Sequence, residues 1–505
     1  MAKSRTQYSI VNALTGAVSQ GSIVLLGFIS RTAFIWFLPL EYLGIQGLFT
    51  NVLTVLSFAE LGIGEAMVYA LYKPMKEIKH TKICQLMNFY KKAYRYVALI
   101  IFFMGSVISF FIDFFVDSKP DIPENFQLIF LLFVINSACS YLFSYKRSIL
   151  LVDQKRYVVT ACHQFFITLQ TILQIMFLYV THDYFTFLII QIMGTIGDNI
   201  CISRYVDTKY PFLKETIVKR LSHVEEKSIF INVKALALTK ISGVISNGCT
   251  NIIISKVLGL VTVGIASNYL LIVNAINGVL WTGFTGISSS IGNLNVDATI
   301  EKKRQIFDQL FLLSFWIYTC ACVCILVLIN PFINIWLGNQ FLLPESVVFA
   351  IVWYIYIGGV NYPAYSFRTT LGYFTQVQYI FLIGSVLNVI ISIIGGLKFG
   401  LLGIFLGSPI ARIMTSEIAD GYYVYKWGLN INPWIYFRNY FLYFILYLIC
   451  YYLSKTGVGL IPLSGVIGIL VKMIVVLIIT NITLIVVFCK NKNFHAIIQR
   501  LWNFK

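Results

Sequence analysis

The chain has 505 residues, of which 58% are hydrophobic, 16% aromatic and only 12% charged, with a formal net charge of +17 and a mean hydropathy of +0.80. Soluble globular proteins carry about 25% charged residues, so the composition excludes an ordinary cytosolic enzyme and points to a polytopic membrane protein. Unbroken apolar runs of about 20 residues, in place of short alternating segments, exclude a β-barrel and predict an all-α architecture.

Fourteen candidate spans begin near residues 12, 42, 91, 125, 157, 184, 229, 262, 306, 346, 377, 401, 434 and 462. The opening stretch, MAKSRTQYSIVNALTG, has a basic start but no short apolar segment followed by a small-residue cleavage site, so the first helix is expected to stay attached. With a cytoplasmic N-terminus, the loops KPMKEIKHTK, KRSILLVDQKR, RYVDTKYPFLKETIVKRLSHVEEK and EKKR all return inside. Roughly 29 of the 38 Lys and Arg residues then lie inside and about four (Lys119, Lys256, Lys398, Lys455) outside, the bias expected of a correct orientation with both termini cytoplasmic. This dispersal among short loops argues against a nucleic-acid partner. No connection is long enough to house a soluble catalytic domain, and no Gly-x-x-x-x-Gly-Lys-Ser/Thr phosphate loop is present. His80, His163, His182, His223 and His495 have no metal-ligand spacing, and the ten cysteines mostly lie in apolar runs as packing residues. The expectation is a non-enzyme without metal or cofactor.

Ionisable and amide groups inside the spans carry the functional reading. In IFINVKALALTKISGVISNGCTNIIISKVLGL, the residues Lys240, Gly243, Asn247 and Asn251 recur at helical spacing on one face. A charge on a membrane helix costs roughly 2.5 to 3.5 kcal/mol even on lenient scales, so this face should look into a protein cavity; the alternative is that Lys240 snorkels or neutralises a neighbour. Arg31, Lys234, Arg412 and Lys472 are the other intramembrane cations. Lys234 lies near enough to a helix end to snorkel, and Lys472 suits a structural or partner-facing role equally well. Arg31, Lys240 and Arg412 are therefore the main candidates to contact an anionic substrate, with Asn247 and Asn251 lining its path. Glu60, Glu65 and Asp198 are candidates to carry a coupling ion or to pair with these cations.

An internal repeat at an offset of about 220 residues, common in transporters, aligns Gly21 in VSQGSIV with Gly243 in KISGVIS, and LEYLGIQGLF with LVTVGIASNY. It also aligns YKRSIL with FRTTL, pairing Arg147 with Arg368 at cytoplasmic helix ends, where they suit either recruitment of a lipid head or positive-inside anchoring. The expected organisation is a six-helix lobe over 1–224, a second over 225–430, and an extra helix pair with a basic tail over 431–505.

The stretches LEYLGIQGLFTNVLTVLSFAELGIGEAMVYALYKPM and KICQLMNFYKKAYRYV resemble the bacterial polysaccharide-export (Wzx-type) flippases, within the superfamily of multidrug, oligosaccharidyl-lipid and polysaccharide exporters. TNIIISKVLGLVTVGIASNYLLIVNAING and SSSIGNL resemble the start of that family's second half. The resemblance implies fourteen helices in two lobes around a central cavity, with the last pair packed outside. It further implies flipping of undecaprenyl-pyrophosphate-linked oligosaccharide units across the bacterial cytoplasmic membrane, by alternating access, for surface or capsular polysaccharide synthesis. Lipid-linked oligosaccharide and membrane lipids are the implied partners, with a polysaccharide polymerase and glycosyltransferases as further candidates. Glu60 matches the AELG element, whereas Thr250 stands where relatives often carry an acid and Glu65 where a small residue is usual. A peptidoglycan-precursor flippase and a drug or cation antiporter would share the architecture. A membrane polysaccharide polymerase would be expected to show a large outer loop with functional Arg or His residues, which this chain does not have.

Overall fold

Apolar runs become helices, and polar punctuation between them decides where each one stops. The computed structural model describes residues 5–502 apart from 61–62, 118–119, 121, 143, 215–220, 222–240, 242, 244, 246–247, 286–290, 292–297 and 374–375. All regular structure among the described residues is helical, and the chain divides into two compact units, Met1–Gly264 and Ile265–Lys505. The repeat boundary expected at 224/225 falls inside the first unit.

That unit contains α1 (Arg5–Phe37), α2 (Glu41–Leu56), α3 (Ile63–Lys76), α4 (His80–Ser109), α5 (Phe126–Leu142), α6 (Arg147–Val152), α7 (Arg156–Thr181) and α8 (Tyr184–Lys209). It ends with α9 (Gly248–Leu258) and the first turn of α10 (Leu260–Thr285). Between α7 and α8 the backbone turns at His182 (φ 52°), and the Asp183 carboxylate caps α8 by accepting from the Phe185 and Thr186 amides at 3.2 and 2.8 Å. Loops expected outside touch one another: Phe37 packs on His182, Tyr42 bonds to Glu124, and Lys256 donates to the Val116 carbonyl at 3.1 Å. Loops expected inside do likewise, with Lys146 on Asp207 at 2.6 Å and Lys155 on the Tyr210 hydroxyl at 3.3 Å. Two apolar clusters fill the space between, one around Phe34, Phe49, Phe130 and Phe187, the other around Met67, Met87, Ile149 and Ile202.

The second unit continues α10 and adds α11 (Ile300–Leu337), α12 (Glu345–Val360) and α13 (Tyr362–Thr370). Then come α14 (Gln378–Gly428), α15 (Trp434–Gly459), α16 (Gly465–Phe488) and α17 (Lys492–Trp502). The 51 residues of α14 would extend roughly 75 Å as one rod, far beyond the ~30 Å hydrocarbon layer. Gly400, at φ 59° and ψ −140°, reverses the chain, a conformation open to glycine alone. Its two arms pack antiparallel: Ser392 donates to the Ile404 carbonyl at 3.0 Å and Ser408 to Asn388 Oδ1 at 3.0 Å.

Ten helices among the described residues are long and apolar enough to cross a membrane, or eleven if α12 and α13, bent by 42°, form one span. The fourteen apolar runs differ from this tally for physical reasons. The runs at 377 and 401 share one helical tract, the run at 42 is interrupted by a 3-10 turn at Ser57–Glu60, and much of the run at 229 lies outside the described residues. On α16, Val466, Ile467, Ile474 and Val486 are exposed while Gly468, Val476, Thr480, Leu484 and Phe488 face inward. A contiguous apolar face of this kind suits lipid. The chain is an all-helical, multi-pass membrane protein.

Candidate functional site

The fourth span of each repeat breaks near its end, and each break leads into a short helix that carries an arginine, Arg147 at the start of the first and Arg368 in the last turn of the second. In the first unit the 3-10 turn Ser144–Lys146 leads into α6. Arg147 Nη2 donates to Asp198 Oδ2 and to Asn199 Oδ1, both at 2.8 Å, while His163 Nδ1 meets the same Asp198 oxygen at 2.9 Å. Asn199 Nδ2 donates to the Cys139 and Ser140 carbonyls near the break, at 3.2 and 3.4 Å. The helix interruption thus releases backbone acceptors that a side-chain amide takes up.

This cluster borders a cavity of about 460 Å³, with Glu60, Tyr94, His163 and Gln170 also in its walls. Across the cavity Tyr94 donates to Glu60 Oε1 at 2.8 Å. Asp198 Oδ1 and Arg147 Nε are buried without a protein partner. Low local polarity makes such orphaned atoms expensive unless water or a ligand reaches them, and a cavity of this size admits either.

In the second unit the bend at Asn361 opens α13, and Arg368 Nε donates to Asp420 Oδ1 at 2.5 Å. Asn361 Nδ2 donates to Asp420 Oδ2 at 3.0 Å, Tyr436 donates to Asn361 Oδ1 at 2.6 Å, and Arg368 Nη1 donates to the Tyr373 carbonyl at 3.1 Å. With Arg368 and Asp420 only 3% and 2% exposed, this copy is closed and fully bonded. The partners are 51 residues apart in the first pair and 52 in the second.

A third cation lies beside the closed pair. Arg412 Nε donates to Glu417 Oε1 at 2.5 Å, and its guanidinium stands 5.6 Å from the centre of the Tyr354 ring. Gly358 on α12 gives it room: a Cβ there would lie 2.7 Å from Arg412 Nη1. The arginine remains 28% exposed while Glu417 is 5% exposed. Around Ile413–Glu417 the helix is wound as a π-helix, a local irregularity that recurs at functional positions.

Arg31 is half-buried on α1. Asn251 on α9 packs against α2, its Nδ2 3.4 Å from the Gly47 carbonyl and its Oδ1 buried without a partner. Lys240, Asn247 and the side chain of Glu65 lie outside the described residues. The structure brings Glu60, Arg147 and Asp198 together, and gives Arg368 protein partners in place of an open face. Sequence reasoning missed His163, Asn361, Glu417 and Asp420. The available signal was the polarity of α7, where Thr160, His163, Gln164, Thr168, Gln170 and Gln174 interrupt an otherwise apolar helix, and the Glu417–Asp420 spacing inside a span.

No protein-family profile and no curated protein sequence matches the chain. Solved structures do. Lipid II flippase MurJ in an inward closed conformation aligns with a TM-score of 0.67 at 14% identity, over 95% of this chain and 99% of MurJ. An inward-facing multidrug resistance MATE transporter of the MOP superfamily aligns at 0.61 and 13%, over 80% and 96%. The chain has the MOP-superfamily fold. A Vibrio cholerae MATE transporter, VcmN, agrees at 0.55 and 13% identity, over 85% of this chain and 100% of its own. At these identities the likeness shows the MOP fold alone; cargo must be argued from residues.

Proposed function

We propose that this chain is a Wzx-type flippase, carrying undecaprenyl-pyrophosphate-linked oligosaccharide units across the bacterial cytoplasmic membrane for surface or capsular polysaccharide synthesis. The observation that carries this reading is Arg412, a guanidinium seated inside a membrane span, 28% exposed, bonded to Glu417 through Nε and given room by Gly358. A guanidinium fork complements phosphate oxygens. A pyrophosphate head crossing ~30 Å of hydrocarbon needs such a fixed cation. Arg31, Lys240 and Arg412 are assigned to the head and Asn247 and Asn251 to the sugar path. Arg147 and Arg368 serve as staples of the broken fourth spans.

Fourteen spans, in lobes 1–224 and 225–430 plus the pair in 431–505, fit this reading, with α14 counted as two spans at Gly400. Rocking of the lobes about a fixed site supplies alternating access. Asp198 and Glu60, sharing one cavity with His163, are the coupling carboxylates. The test is export of surface polymer in cells whose own gene is deleted. Arg412→Ala is expected to abolish it at normal protein level; full export by that variant would overturn the reading. A second reading, a peptidoglycan-precursor flippase, draws support from the alignment with MurJ along nearly the whole chain. Depletion of the protein separates the two, being lethal for a peptidoglycan flippase and removing only surface polymer for an exporter.

A further inference from the structure

The helices α1 and α7 share a polar face that the assignments above leave unused. Thr15 and Ser19 lie one turn apart on α1, and Thr160, Gln164 and Thr168 lie at successive turns on α7; together with Phe165 they border an open groove of about 570 Å³. Ser19 donates to Gln164 Oε1 at 2.9 Å, and Gln164 Nε2 reaches Thr168 Oγ1 at 3.4 Å. Phe165 is 62% exposed at the groove edge.

Packing between membrane helices explains one cross-helix hydrogen bond such as Ser19 to Gln164. The Thr168 hydroxyl also donates to the Gln164 carbonyl at 2.8 Å, so these groups are bonded among themselves, yet their spare donor and acceptor capacity borders an open groove where hydrocarbon offers no partner. Such a groove suits water or a polar occupant. Its chemistry selects the occupant: neither a carboxylate nor a cation lines the groove, so it has nothing to offer a pyrophosphate or an ammonium group. Hydroxyls and a primary amide both donate and accept, as sugar hydroxyls do, and an exposed ring offers an apolar platform beside them.

We infer that the α1–α7 groove binds the neutral sugar residues of the cargo, as a carbohydrate subsite separate from the cationic seat at Arg412. The inference rests on the flippase reading. Binding is measured with the full-length protein in lipid nanodiscs and two probes, undecaprenyl pyrophosphate and undecaprenyl-pyrophosphoryl oligosaccharide isolated from the host. The triple variant Thr160→Val, Gln164→Leu, Thr168→Val should weaken binding of the sugar-bearing lipid by about tenfold while leaving the bare pyrophosphate lipid unchanged. Phe165→Ala, which removes an exposed ring without touching the helix contact, should act in the same direction and guards against misfolding of the triple variant. Unchanged binding of the sugar-bearing lipid by both variants, or equal losses for the two probes, overturns the subsite and leaves the flippase reading standing. Wild-type protein that binds neither probe overturns both.

Discussion

Arg412 lies flat against Gly358, where a Cβ would stand 2.7 Å from Nη1 and 3.0 Å from the guanidinium carbon. The glycine therefore holds the position of the cation. Gly358→Ala should improve helix propensity by about 1 kcal/mol yet displace the fork. Since a hydrogen bond to a charged group contributes ~1.5–3 kcal/mol, polymer export in complemented cells should fall at least about tenfold at normal protein level. Arg412→Lys should restore part of the export lost in Arg412→Ala, because it keeps the charge but not the fork. Wild-type export by Gly358→Ala would separate Arg412 from transport.

The Arg368–Asp420 pair is closed, so its removal should register as stability. Truncating one partner leaves a buried charge and costs about 3–5 kcal/mol; Arg368→Met or Asp420→Leu alone should markedly lower the unfolding temperature in detergent. The double variant should recover much of that loss, since the two apolar side chains replace the pair together. Arg147, 26% exposed beside its cavity, should show a smaller stability loss on Arg147→Met. Equal destabilisation at the two sites would contradict the open-versus-closed distinction.

Asp183 caps α8 outside the spans. Burial pushes its carboxyl up, but the Thr186 hydroxyl and the Thr186 and Phe185 amides outweigh this and hold it below the usual carboxylate range. Stability from a depressed carboxylate is complete above the unfolded-state pKa of about 3.9 and is lost as pH falls through the folded-state value. Asp183→Asn keeps a capping oxygen without the titration, so its unfolding temperature should trail wild type by a constant margin above about pH 5 and converge with it in stronger acid. Asp183→Ala should cost roughly 1 kcal/mol above about pH 5, a gap that narrows in stronger acid by the same margin as for Asp183→Asn. A wild-type-to-Asn gap that widened in acid would reverse the sign and exclude the cap as its source.

The architecture was legible because it rests on composition and run length: 20-residue apolar stretches joined by short polar loops leave little choice but a polytopic helical protein. Arg147 and Arg368 were paired by the repeat before either had a structural partner. Their aspartates were harder to find. Asp420 lies 52 residues beyond Arg368, and only the fold brings such distant positions into contact. His163 was passed over because metal-ligand spacing is a local test, whereas its partner Asp198 is on the next helix. Gly400 hides equally well: a glycine in an apolar run reads as packing until a positive φ reveals the reversal.

Asp198 is where the proposed coupling can be tested most directly. It faces Arg147 and His163 within hydrogen-bond distance, and Glu60 and Tyr94 line the same cavity. A proton taken up here weakens the hold on Arg147 and so releases the broken end of α5 from α8. That is a local charge change at a helix break. In proteoliposomes, transport by wild type should rise with an imposed proton gradient. Asp198→Asn, nearly isosteric, should transport at a reduced rate that no longer responds to the gradient, and Glu60→Gln should blunt the response. Full gradient stimulation in Asp198→Asn would move the coupling step away from this cavity. Stimulation by a sodium gradient alone would assign it to a different ion.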